Sequence, residues 1–145
     1  MAAGDILTNV RKYLVSVAAI TTLAPANRIL ARPMQQGETG TGLVLKIVSG
    51  DDGTTLTEGS KIGEAVLQID AYATTPDAAA AASEAVRVNL LTYNGTAGDD
   101  TIRSVVTEPG SLRTQYESPR NASDAGRYRH GRDYRIFYVQ PAVSV

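Results

Sequence analysis

Apolar side chains enter the chain at helical spacing: Ile6, Leu7, Val10, Leu14 and Val17 fall on one side of a helix, with Asp5 placed to cap it. The spacing predicts a helix over about 5–17. Pro25, Asn27 and Pro33 then break the pattern, so Thr21 to Pro33 reads as a turn followed by a short extended piece at Arg28 to Ala31. Residues 35–42 are rich in Gly and Thr and read as a loop. From Leu43 the period becomes two. Leu43, Leu45 and Ile47 alternate with Val44, Lys46 and Val48, and Ala65 to Tyr72 alternates in the same way, so these are two strands. Between them, Gly50 and Gly53 flank Asp51 and Asp52, which predicts an antiparallel hairpin with a long acidic tip.

Thr75-Pro76-Asp77 marks a helix start: a hydroxyl to cap, Pro at the first helical position and an acid in the first turn. Ala79, Ala82, Val86, Leu90 and Tyr93 share one face, and Asn94-Gly95 is a stop, giving a helix over about 76–93. Thr101 to Thr107 reads as a third strand and Tyr134 to Val139 as a fourth. About twenty-five polar residues, including Gly110, Pro119, Gly126 and Gly131, lie between them and read as a long loop.

These elements predict an α+β fold in one domain over 1–145: a mostly antiparallel sheet of about four strands, packed on one face by two helices, with a long hairpin and a long loop. The expected core contains Ile6, Val10, Leu14, Leu67, Ile69, Val86, Leu90, Ile136 and Tyr138. Apolar residues make up 43% of the 145 and charged ones 20%, enough to build that core. Aromatic residues, seven Tyr and one Phe, are few, so Val, Ile, Leu and Ala must fill it. The hairpin tip Gly50 to Gly59 and the loop Pro109 to Arg132 have too little apolar area to order alone, and are expected to order on assembly.

Charge adds an asymmetry. Of 14 basic and 15 acidic residues, 1–102 hold seven and eleven, whereas 103–145 hold seven and four. An arginine-bearing C-terminal third on an acidic body points to a charged partner or a self-complementary interface. The chain has no Cys and one His, which leaves no thiolate chemistry and no cofactor or metal site to propose. The apolar stretch around Leu14 to Leu23 is too short to span a bilayer, and Asp5, Arg11 and Lys12 spoil a signal pattern, so no membrane partner is expected.

Catalytic readings are thin. His130, with Asp133 three residues on, is the sole base available to activate a hydroxyl nucleophile, and a small hydrolase centred on it is one alternative. The plainer account makes His130 a solvated loop residue, and the Asp51-Asp52 and Asp99-Asp100 pairs solvated turns. Gly37-Glu-Thr-Gly40-Thr-Gly42 lacks the Lys-Ser/Thr of a phosphate loop. Arg120, Arg127, Arg129 and Arg132, interleaved with Tyr128 and Tyr134, could follow a nucleic-acid backbone, but Glu117, Asp124 and Asp133 among them favour ion pairs.

The sequence VLQIDAYATTPDAAAAASEAVRVNLL, passing from strand to helix, and the closing YRHGRDYRIFYV carry a resemblance. From about residue 5 to 140 the order of elements resembles the tail terminator, or tail-completion, family of long-tailed bacteriophages. That resemblance implies a structural virion protein without enzymatic activity, made in the host bacterial cytoplasm and built into the neck of the tail. It implies a homo-oligomer, a hexameric ring, that caps the tail tube protein, stops its polymerisation and meets the head-tail connector protein. Another neck component, or a nucleic-acid-binding module, is the alternative. In a closed ring each subunit offers one surface to a different surface of its neighbour. Arg120, Arg127, Arg129 or Arg132 would then meet Asp51, Asp52 and Glu58 of the next copy, or else face the lumen and passing DNA.

Overall fold

The computed structural model describes residues 3–32, 40–57, 60–93, 96–97, 100–117 and 126–140. The first amphipathic segment is helix α1 (Ala3–Ser16), followed by one further turn of helix, α2 (Ala18–Thr21). A 3-10 turn at Ala26–Arg28 leads into the two-residue strand β1 (Ile29–Leu30). The two alternating segments become β2 (Gly42–Thr57) and β3 (Ser60–Ala73). Helix α3 (Pro76–Leu91) starts as its sequence requires: the Thr75 hydroxyl accepts from the Ala78 amide at 3.2 Å, and Pro76 opens the first turn, where no amide donor is missed. The chain then adds β4 (Thr96–Ala97), β5 (Asp100–Thr107), β6 (Arg113–Glu117) and β7 (Arg127–Gln140).

The strands form one sheet in the order β1-β2-β3-β7-β5-β4, with β6 pairing β7 beyond the end of β5. All pairs are antiparallel except β1 with β2. Register fixes which side chains share a face. Leu67 pairs with Ile47 on one side and Tyr134 on the other, and Ala65 pairs with Ile136. These rows face α1 and α3, where Ile6, Val10, Leu14, Val86 and Leu90 complete the core. All nine residues expected in the core are buried. The two helices are tied at their C-terminal ends, where the Tyr13 and Tyr93 rings stack at 3.7 Å and the Tyr13 hydroxyl donates to the Asn89 carbonyl. No described helix covers the opposite face of the sheet.

Three expectations need correction. Among the described residues the sheet has seven strands rather than about four, two of them only two residues long. The hairpin has no long loop at Gly50 to Gly59, because the backbone of 51–57 stays paired with 60–64; register shifts absorb the glycines, and the threonines suit a strand. Much of the connection 109–132 is likewise ladder, since β6 pairs with the first third of β7 from Arg113↔Gly131 to Glu117↔Arg127. Glu58, Arg120, residues 35–39, Asn94-Gly95 and Asp99 lie outside the described residues.

Candidate functional site

Because Leu67, Ile69 and Ala71 turn toward the helices, Gln68, Asp70 and Tyr72 must turn the other way. Asp70 is nevertheless only 2% exposed. Side chains from two other strands bury it. Its Oδ1 accepts from Arg113 Nε at 3.2 Å and Nη2 at 2.7 Å. Its Oδ2 accepts from Arg129 Nε at 3.0 Å, Arg129 Nη2 at 2.7 Å and Gln68 Nε2 at 2.7 Å. Arg113 Nη1 continues the lattice to Asp133 Oδ1 at 2.8 Å and the Ser111 carbonyl at 3.0 Å. A buried carboxylate is costly unless its lone pairs are filled, and two guanidinium forks fill these.

Gly131, directly across from Asp70, makes this approach possible. A Cβ there would run into Asp70 Oδ1 and lie 2.6 Å from the Ile69 carbonyl. Around this centre the guanidinium of Arg127 sits 5.6 Å from the Tyr72 ring centroid, and Arg135 pairs with both Glu64 and Glu108.

The helix side of β7 is different. Arg132 reaches the Ser83 hydroxyl at 3.4 Å and Glu84 at 3.9 Å. The hydrogen bond from Arg87 holds the Glu84 carboxyl below its usual range. Burial pushes the Tyr134 hydroxyl up to about 12. His130 is half-buried in the strand rather than solvated in a loop, because its period-two position turns it inward; its Nδ1 is buried without a hydrogen-bond partner. Burial, then the charge of Arg132, lowers its pKa. Asp133 lies on the opposite face with Arg113, so it does not orient His130 as a catalytic acid would. Among the described residues no His, Asp and Glu side chains group as metal ligands, and no helix is long and apolar enough to cross a membrane.

Residues 8–136 match the family of tail completion protein gp17. The chain belongs to this family. It is a structural component of a phage tail. No curated protein matches the sequence. Among solved structures, a chain from the virion of a native gene transfer agent particle aligns with a TM-score of 0.56 at 15% identity, over 94% of this chain and 98% of that one, a likeness of fold.

Within this tail completion protein the candidate residues separate. Arg127 and Arg129 come together on the uncovered face, and Arg132 lies on the helix face. Asp51 and Asp52 sit on β2, at the side of the sheet remote from β6. Sequence reasoning missed Asp70, Arg113 and Gly131. One signal was present: Asp70 is the lone charge in the run Ala65 to Ala73, which is apolar apart from Gln68 and Tyr72, and a charge there needs a partner.

Proposed function

We propose that the protein is a ring-forming tail terminator: copies close into a hexameric ring that caps the tail tube, stops its polymerisation and joins it to the head connector. The observation that carries this reading is the one-sided sheet of a tail completion family member. Among the described residues, helices cover one face, while the other carries the Asp70 lattice and no helix. Contact surfaces of this kind suit assembly, and the arginine donors engaged by Asp70 and Asp133 favour a mechanical role for the arginine strand over tracking DNA. A virion location in the neck, with the tube protein on one side and the connector on the other, follows from the same reading.

The test is a polymerising tail tube protein to which this protein is added. Growth should stop, and electron micrographs should show one ring at a tube end. Unchanged tube growth with unoccupied ends would refute the reading.

A further inference from the structure

The two sides of the sheet are closed only in part. Among the described residues, β1 covers the outer edge of β2 at Leu43 and Val44, and β4 covers the outer edge of β5 at Asp100 and Thr101. Among the described residues, the remainder of each edge has no neighbouring strand. Soluble monomers guard such edges with Pro, charged side chains or bulges; here β2 has a register shift at Val48 and β5 one at Arg103, at neighbouring heights. Neither 45–57 nor 102–107 contains Pro.

The uncovered stretches lie at the same height. Followed across the sheet, Ile47, Leu67, Tyr134 and Thr107 form one row, and Ser49, Val66, Arg135 and Val106 the next. Asp51, Glu64, Phe137 and Ser104 form a third. The four long strands alternate in direction, so β2 and β5 run opposite ways. A second copy rotated about an axis parallel to the strands therefore brings its β2 beside β5 in an antiparallel pair, at matching height. Side chains fit that placement. Val48 and Val106, 52% and 46% exposed, stand on the two edges at neighbouring rows. Exposed Arg103 on β5 stands beside the row that holds Asp51 on β2, with Asp52 next to it.

We propose that β2 from Ile47 to Asp52 pairs with β5 from Ile102 to Thr107 of a second copy, so that neighbouring subunits share one continuous antiparallel sheet around the ring. This rests on the ring reading above and supplies its interface. The contact is heterologous, each subunit giving a different edge to each neighbour, as ring closure requires. It also sets Arg103, which is not engaged in the lattice around Asp70, along the edge that carries the acidic pair Asp51-Asp52.

Because the chain has no Cys, introduced thiols report the contact alone. Ser49→Cys combined with Val106→Cys, or with Ser104→Cys to cover a shift of two residues, should give on oxidation a denaturant-resistant ladder of multimers. Facing strand residues lie about 4.5–5.5 Å apart between Cα atoms, within disulfide reach. Arg103→Glu should abolish rings while leaving the subunit's melting temperature and circular dichroism unchanged, and adding Asp51→Arg and Asp52→Arg should restore them. Rings that survive Arg103→Glu and give no ladder with either pair would overturn the edge contact while leaving the ring reading intact. A wild-type protein that forms no ring would overturn both.

Discussion

The two faces of the sheet keep order by different means. On the helix side, Leu67, Ile69, Ile136 and Tyr138 are shielded by α1 and α3, and burial of apolar area holds them. On the other side no described helix lies over Asp70, yet it is as well buried as Ile69, because Arg113, Arg129 and Gln68 close over it. The first face excludes water from its apolar centre, while Arg132 and His130 at its margin stay partly exposed. The second keeps guanidinium groups at its surface, with Arg113 and Arg129 side chains 27% and 20% exposed, and so stays rigid while remaining wettable. On the ring reading proposed above, this division leaves the face without a described helix for contact with neighbours.

Substitutions should rank accordingly. Leu67→Ala, which opens a cavity between the helices and the sheet, should cost about 3 kcal/mol in denaturant unfolding. Gly131→Ala comes next, at about 2 kcal/mol, since the added carbon meets the Ile69 backbone as well as the Asp70 carboxylate and neither can move cheaply. Its cost should fall when combined with Asp70→Ala, a coupling that a double-variant cycle measures. Arg129→Leu leaves Asp70 with Arg113 as its remaining cation, and solvent access to the group discounts the loss to about 1.5 kcal/mol. A larger loss for Arg129→Leu than for Leu67→Ala would reverse the comparison.

The helix face was legible in the sequence because periodicity alone defines it: two helices, the apolar halves of β2 and β3, and the Thr75-Pro76 start all stand where the pattern put them. The uncovered face was not. In Arg127 to Asp133 both sides of the strand carry polar groups, so alternation gives no apolar stripe and charge reads as loop. Asp70 meets Arg129 across 59 positions of sequence and Arg113 across 43, and only the register of β3, β7 and β6 brings them together. Gly131, which permits the close approach, reads as a loop glycine until β7 is known to run through it.

Two smaller effects sharpen the contrast on the helix side. Thr75→Ala removes the cap of α3 and should cost about 1 kcal/mol, read as a lower unfolding midpoint with an unchanged slope. The smallest effect concerns His130. Its folded pKa lies below the ordinary 6.5, so the unfolded chain binds the proton more readily. The neutral imidazole's contribution is intact above that value and is lost as pH falls through 6.5 toward the folded pKa. Stability curves of His130→Asn should lack this acid-side decline; an identical decline in the variant would assign it to other groups.

Assembly itself is tested most directly by native mass spectrometry of the purified protein across a range of concentrations. A closed heterologous ring predicts one dominant species at six times the 15.3 kDa subunit mass, with no continuous series of larger sizes. A monomer at every concentration, or an open-ended ladder of oligomers, would contradict the account.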